Sequence, residues 1–232
     1  MESFERTIEP VAYIHTDFKE KFGIPRQSGL VDELTAKIVF CPAYRNPEAL
    51  RGLSEFSHIW LLFDFSKAHR KEWSPTVRPP RLGGNERIGV FASRSPFRPN
   101  SIGLSCVKLE KIERTENEGD VLIVRGADLL DMTPIYDIKP YIPYADCHPE
   151  ANGGFTDMRK RIKLSVSWKE GIDKNIPEDK RLVIEGCISE DPRPSYQEDN
   201  ERVYSMRFAE FDIHFTVKGT NAEIVGADVI KN

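Results

Sequence analysis

Two segments of this 232-residue chain concentrate side chains that could do chemistry. From Arg78 to Asn100, five arginines (Arg78, Arg81, Arg87, Arg94 and Arg98) meet a single acid, Glu86, among four prolines, three glycines and two phenylalanines. Arginine keeps its charge and offers a planar fork to phosphate or carboxylate, while Pro and Gly fix backbone shape. The segment reads as a rigid cationic surface for an anionic ligand, against the plainer alternative of a Pro-rich connection whose arginines pair with neighbouring acids. The second segment, Asp128 to Asp146, carries Asp128, Asp131, Asp137 and Asp146 with Lys139, Tyr136, Tyr141 and Tyr144 around three prolines. Carboxylates beside aromatic rings suit a cation. The same acids also serve as turn formers, and the tyrosines as core residues with a wet tip. Placed together, the two segments would hold a cation and an anion side by side.

A net charge of −4 and a pI near 5.8 argue against a nucleic-acid binder that uses its whole surface, so any polyanion site has to be local. Cys41, Cys106, Cys147 and Cys187 show no CxxC or CxH spacing, which argues against zinc and for no metal at all. With no recognisable signal peptide, isolated cysteines fit a reducing cytoplasm. The longest apolar run, Ile59 to Phe63, is too short for a bilayer. No P-loop, HExxH or nucleophile elbow is present, and Leu82-Gly83-Gly84-Asn85 lacks the strand and helix context of a dinucleotide fingerprint. His58 in an apolar run reads as a core or rim histidine. The Pro25–Leu30 loop and Asp191–Tyr196 are further loop candidates; the latter repeats the Arg/Pro/aromatic character of the central cluster.

The elements that must position these groups are mostly short strands: Ile8–Ile14, Ala36–Cys41, His58–Phe65 and Arg87–Ala92, each ended by Pro, Gly, Asn or Ser. Alternation from Ile102 to Ile112 slips once in phase, which predicts a β-bulge, and Val121–Val124 would pair with it as a hairpin. Strands without intervening helical patterns favour an antiparallel barrel or sandwich. The His, Pro, Asn and Gly-rich stretch from Asp146 to Thr156 predicts a boundary. Beyond it come a strand at Ile162–Trp168, a helix begun near Pro177 with Leu182, Val183, Cys187 and Ile188 on one side, and two final strands, Phe211–Val217 and Ile224–Ile230. The fold class expected is mainly β, with an N-terminal antiparallel barrel over residues 1–150 and a small α+β domain over 157–232.

The run from Arg78 to Ser105, together with FSHIWLLF, the PRQSGL loop and the Asp128–Asp146 block, resembles the TrmO (TsaA-like) family of tRNA methyltransferases. The resemblance runs from about Ile8 to Asp146, and DPRPSY resembles the second domain of bacterial members. It implies a non-Rossmann β-barrel methyltransferase, usually a homodimer, that uses S-adenosylmethionine to methylate N6 of N6-threonylcarbamoyladenosine beside the anticodon of threonine tRNA. Carried over by motif, the cofactor would touch Pro25, Arg26, Gln27, Ser66, Lys67, Arg94, Leu104 and the turn Gly126, Ala127, Asp128 and Leu129. Ser66-Lys67 stands where relatives carry a His-containing pair, and Met132 replaces the glycine of a DGTP turn. The acceptor nitrogen belongs to a urea, so a base among Asp131, Asp137 and Tyr141 would help remove its proton. RNA phosphates and the threonyl carboxylate would fall to Arg78, Arg81, Arg98, Lys139 and Arg193. Phe91, Phe97, Tyr141 and Tyr144 would supply dimer anchors.

Two other functions use the same residues. A non-catalytic RNA or anionic-ligand binding barrel would need the arginines without the acidic and tyrosine block. A methyltransferase with a different acceptor would need both.

Overall fold

The computed structural model describes residues 6–79, 82, 86–157, 162–194 and 199–230. The chain is mainly β, as expected. Six strands close a ring in the order β1 (Ala12–His15), β2 (Thr35–Phe40), β7 (Gly119–Arg125), β6 (Ile102–Thr115), β3 (His58–Asp64) and β8 (Thr133–Pro140). Every neighbouring pair is antiparallel. Alternation fills the ring: Ile14, Ile38, Ile59, Leu61, Leu122 and Ile135 point inward and are fully buried. The phase slip is a real irregularity, because the β6–β7 register shifts between Leu109 and Lys111. Gly103 is required where it stands, since a Cβ there would lie 2.2 Å from the Phe63 ring. The two remaining strands of this half, β4 (Thr76–Val77) and β5 (Ile88–Gly89), form a small ribbon under the arginine segment.

Three expectations are corrected. The acid and tyrosine block, read from the sequence without a strand, contains β8, hidden from a strand reading because its inward residues, Thr133 and Ile135, are few and it carries two prolines, Pro134 and Pro140. The strand expected over Arg87–Ala92 shrinks to β5, followed by a tight turn over Val90–Ala92. The final pair of strands is a set of three, because β10 (Tyr204–Phe208) precedes β11 (Phe211–Lys218) and β12 (Asn221–Val229).

The later residues form a sheet in the order β10-β11-β12-β9, with β9 (Ser165–Trp168) parallel to β12. A one-turn helix, α1 (Pro143–Asp146), follows β8, and α2 (Glu178–Ser189) covers the second sheet. On α2 the buried set is Val183, Ile184, Cys187 and Ile188; Val183, Cys187 and Ile188 are as expected, whereas Leu182 is 50% exposed and Ile184 takes its place. The two halves are interlocked. Phe18, Val31 and Leu34 bury themselves in the core of the second sheet, and a Cβ on Gly186 of α2 would lie 2.7 Å from Val31. The Ala209 amide donates to the Asp17 carbonyl at 2.9 Å.

Candidate functional site

The first loop, residues 24–29, is laced to the 126–130 turn by backbone. The Gly29 amide donates to the Gly126 carbonyl at 2.9 Å and the Gly126 amide to the Leu34 carbonyl at 2.8 Å. Gly126 has φ +74°, and a Cβ there would sit 3.2 Å from the Gly29 backbone, so glycine is needed for both conformation and approach. Next to this junction lies a cavity of about 210 Å³, lined among others by Phe65, Ser66, Lys67, Asp128, Leu129 and Thr133. Four residues expected at the cofactor therefore share one cavity: Ser66, Lys67, Asp128 and Leu129. Lys21 closes one side by donating to the Lys67 carbonyl at 3.1 Å.

Asp128 is the electrostatic centre of this cavity. Burial raises its pKa above the ordinary 3.8, opposed by the Ser105 hydroxyl, by the Asp128 and Ser28 backbone amides and by the Arg94 charge. The Ser105 hydroxyl donates to Asp128 Oδ1 at 2.6 Å. Arg94 in turn donates to Gln27 Oε1, whose own amide donates to the Arg26 carbonyl, while Pro25 is buried beneath. Ala127 is buried under the turn. The structure thus gathers Gln27, Arg94 and Asp128 around one corner.

Leu104 does not join them. It is 54% exposed on the outer face of β6, opposite in direction to Ser105. Its cross-strand partner on β3 is Leu62, whose partner on β8 is Asp137, so Leu104, Leu62 and Asp137 form one outward row. Lys139 pairs with Asp137 at 2.8 Å. Tyr141 stands at the far end of β3, its amide bonded to the His58 carbonyl and its ring 5.8 Å from Trp60. Six residues of strand separate His58 from Asp64, which is roughly 20 Å. Burial, and then the neighbouring Cys147, push the Tyr141 phenol above its ordinary value, so phenolate is scarce at neutral pH. Asp131 is committed elsewhere: it accepts from the Thr16 amide at 3.0 Å and pairs with Lys19 at 2.5 Å.

Among the RNA candidates, Arg78 is exposed and Arg98 is half-buried with Nη1 on the Ser93 carbonyl at 3.2 Å. Arg81 lies outside the described residues. Arg193 turns inward: its side chain is 13% exposed and grips Asp191 through Nε at 2.7 Å and Nη2 at 2.9 Å. Arg26 donates to the Arg193 carbonyl at 2.8 Å, so this tail segment holds the first loop. Phe91 and Phe97 lie on the arginine segment, apart from Tyr141 and from Tyr144, which is 91% exposed on α1.

Sequence reasoning missed Asp64. Its carboxylate is 13% exposed at the cavity and accepts from His69 Nε2 at 2.8 Å. Tyr136 sits beside it, its phenol raised by burial and then by the Asp64 charge. The available signal was an acid interrupting the apolar run HIWLLFDF. Among the described residues, no group of three or more His, Cys, Asp or Glu side chains is placed to hold a metal, and no helix is long and apolar enough to cross a membrane.

A closed ring without a Rossmann sheet, carrying a buried acid beside a first-loop corner, is the architecture of one class of methyltransferase domain, and two family models match it in order. The tRNA-methyltransferase O N-terminal domain matches residues 13–147, and the TrmO C-terminal domain matches residues 162–230. The chain belongs to the TrmO family. It is 38% identical to the tRNA (adenine(37)-N6)-methyltransferase of Escherichia coli K12, covering 97% of each chain. It is 42% identical to a Pseudomonas aeruginosa protein described as a putative S-adenosylmethionine-dependent methyltransferase, over 90% of this chain and 91% of that one. A crystal structure of TrmO from P. aeruginosa superposes with a TM-score of 0.80 at 33% identity, covering 98% of this chain and 99% of that one.

Proposed function

We propose that this chain is an S-adenosylmethionine-dependent tRNA methyltransferase acting on N6 of adenosine 37, with N6-threonylcarbamoyladenosine of threonine tRNA as its acceptor. The observation that carries this reading is the buried, Ser105-bonded Asp128 at the wall of the 126–130 cavity. Holding a carboxylate there costs stability, which a passive RNA-binding barrel has no reason to bear. The residues fit the cofactor by chemistry: acids and the Phe65 ring suit a sulfonium, and apolar Leu129 suits an adenine. S-adenosylmethionine would supply an electrophilic methyl carbon. Asp128, Gln27, Arg94 and Ser66-Lys67 would bind and orient that group, with Pro25, Arg26, Gly126, Ala127 and Leu129 shaping the wall.

The base that removes the acceptor proton would be one of Asp131, Asp137 and Tyr141. Asp131 is tied to Lys19 and Thr16, and Tyr141 is remote from the cavity with its phenol held protonated. Asp137 sits on the outward row with Leu104 and is paired with Lys139, whose side chain is 61% exposed. Positioning of the two substrates would supply much of the acceleration.

The outer face of β6, with Ile102 38% and Leu104 54% exposed, is an apolar surface on which a second copy would pack, and a homodimer is proposed on that ground. A cytoplasmic site of action follows from a tRNA substrate. Two domains, 1–150 and 157–232, remain the proposed division, with Phe18, Val31 and Leu34 as the N-terminal inserts that bind them together. Mass spectrometry of threonine tRNA after incubation with protein and S-adenosylmethionine tests the activity: a 14-dalton gain on the threonylcarbamoyl nucleoside supports it, and no gain with saturable cofactor binding by calorimetry points to another acceptor.

A further inference from the structure

Beside the cofactor cavity, sharing Ala68 with it, lies a second and smaller groove of about 140 Å³. Its walls include Arg70, Lys71, Glu72, Trp73, Phe97 and Arg98. Three aromatic rings stand open to solvent here: Trp73 is 52%, Phe91 75% and Phe97 37% exposed. They are arranged in pairs. The Trp73 and Phe91 rings lie 6.3 Å apart at 34°, and the Arg70 guanidinium lies 3.7 Å over the Phe97 centroid. None of the three rings belongs to either buried core, and Arg70, Lys71 and Arg98 outnumber Glu72 around them although the whole chain carries −4. Planar rings interleaved with cations are what unpaired bases and their phosphates require, since every base has a π face and stacking tolerates any sequence. A second copy of the chain fits worse, because a two-fold contact sets a patch against itself and would bring Arg70, Lys71 and Arg98 against their own copies.

We propose that Trp73, Phe91 and the Arg70–Phe97 pair form a stacking platform for the unpaired bases flanking the target nucleotide in the RNA substrate. The proposal rests on the tRNA methyltransferase reading. The platform adjoins the cavity through Ala68, so bases stacked on it would run away from the methyl donor, and Arg98 would meet the phosphates between them.

The test is a binding titration of the full chain with a synthetic anticodon stem-loop and with a blunt RNA duplex that has no unpaired bases, at several salt concentrations. Trp73→Ala and Phe91→Ala should each weaken stem-loop binding about 5- to 150-fold, the range of one lost base stack, with the salt slope unchanged. Duplex binding and S-adenosylmethionine affinity should stay at wild-type values, and Trp73→Phe should restore most of the stem-loop affinity. Because Phe91 is the more exposed ring, Phe91→Ala decides the matter if Trp73→Ala disturbs the circular dichroism spectrum. Stem-loop affinity unchanged in the Ala variants overturns the platform, as does equal loss on stem-loop and duplex. A shift of mass by light scattering in those variants overturns it in favour of an interface between copies. Wild-type protein that methylates tRNA while the variants bind normally sinks the platform alone; wild-type protein that binds no stem-loop sinks both readings.

Discussion

The Ser105 hydroxyl donates to Asp128 Oδ1 at 2.6 Å, from the inward face of β6 to the turn that follows β7. This contact, with the Arg94 charge, opposes the burial that raises the Asp128 pKa, and burial wins. Burial therefore disfavours the charged carboxylate, a cost that a bound cation would offset.

The Asp128→Asn variant follows from that balance. A folded-state pKa above the unfolded 3.8 means that the ionised group destabilises the fold. The penalty is absent below pH 3.8, grows as pH rises through the folded value and stays constant above it. Asp128→Asn should thus melt higher than wild type at pH 7, by roughly 2–4 °C per kcal/mol relieved, and the difference should close on acidification. S-adenosylmethionine affinity should fall roughly 10- to 100-fold, the worth of one charged contact. Differential scanning fluorimetry and calorimetry read the two effects; a variant less stable than wild type at pH 7 with unchanged affinity would contradict both.

Met132 is held at φ 60°, in the left-handed region where glycine would be unstrained, and it is 51% exposed. A non-glycine residue there costs about 1–2 kcal/mol, partly recovered through the lower chain entropy of the unfolded state. Met132→Gly should therefore raise unfolding free energy by about 0.5–1 kcal/mol. The β-branched Met132→Val should lower it. Urea denaturation compares them, and a destabilised glycine variant would mean that the Met132 side chain makes an undetected packing contribution.

Arg193 was expected to touch RNA, and the structure gives its guanidinium to Asp191, itself at φ 50°. With the side chain only 13% exposed, Arg193→Ala should cost about 1–3 kcal/mol of stability and loosen Arg26, which donates to the Arg193 carbonyl. The slope of tRNA affinity against salt should not change. A slope reduced by about one with stability intact would return Arg193 to the RNA surface.

How much of this was legible in the sequence depended on whether the signal was local. The β6 bulge and the β6–β7 hairpin were written in alternation, and the cavity residues Ser66, Lys67, Asp128 and Leu129 in motif. β8 was hidden because burial of two positions between prolines resembles a loop. The divergence of Leu104 from Ser105 is a matter of one residue of strand phase, which no motif encodes. Asp64 pairs with His69 only five residues on, but its place at the cavity, like the Trp73–Phe91 contact, depends on how the chain folds rather than on any local pattern.

The arginine segment divides its labour in the structure between neighbours four residues apart. Arg94 donates to Gln27 of the first loop and its charge acts on Asp128, whereas Arg98 lines the aromatic groove with one nitrogen on the Ser93 carbonyl. A phosphate contact releases condensed counterions and so appears in the salt slope, at roughly one unit for each contact removed, while a cofactor contact does not. Arg98→Ala should weaken threonine tRNA binding and flatten its salt dependence with S-adenosylmethionine affinity nearly unchanged. Arg94→Ala should weaken the cofactor roughly tenfold or more, because Gln27 and Asp128 lose the same partner, and leave the slope alone. Titrating both variants with both ligands at several salt concentrations separates the roles. Equal effects of both substitutions on both ligands would show that Arg94 and Arg98 act through the shape of one loop rather than through the two sites they face.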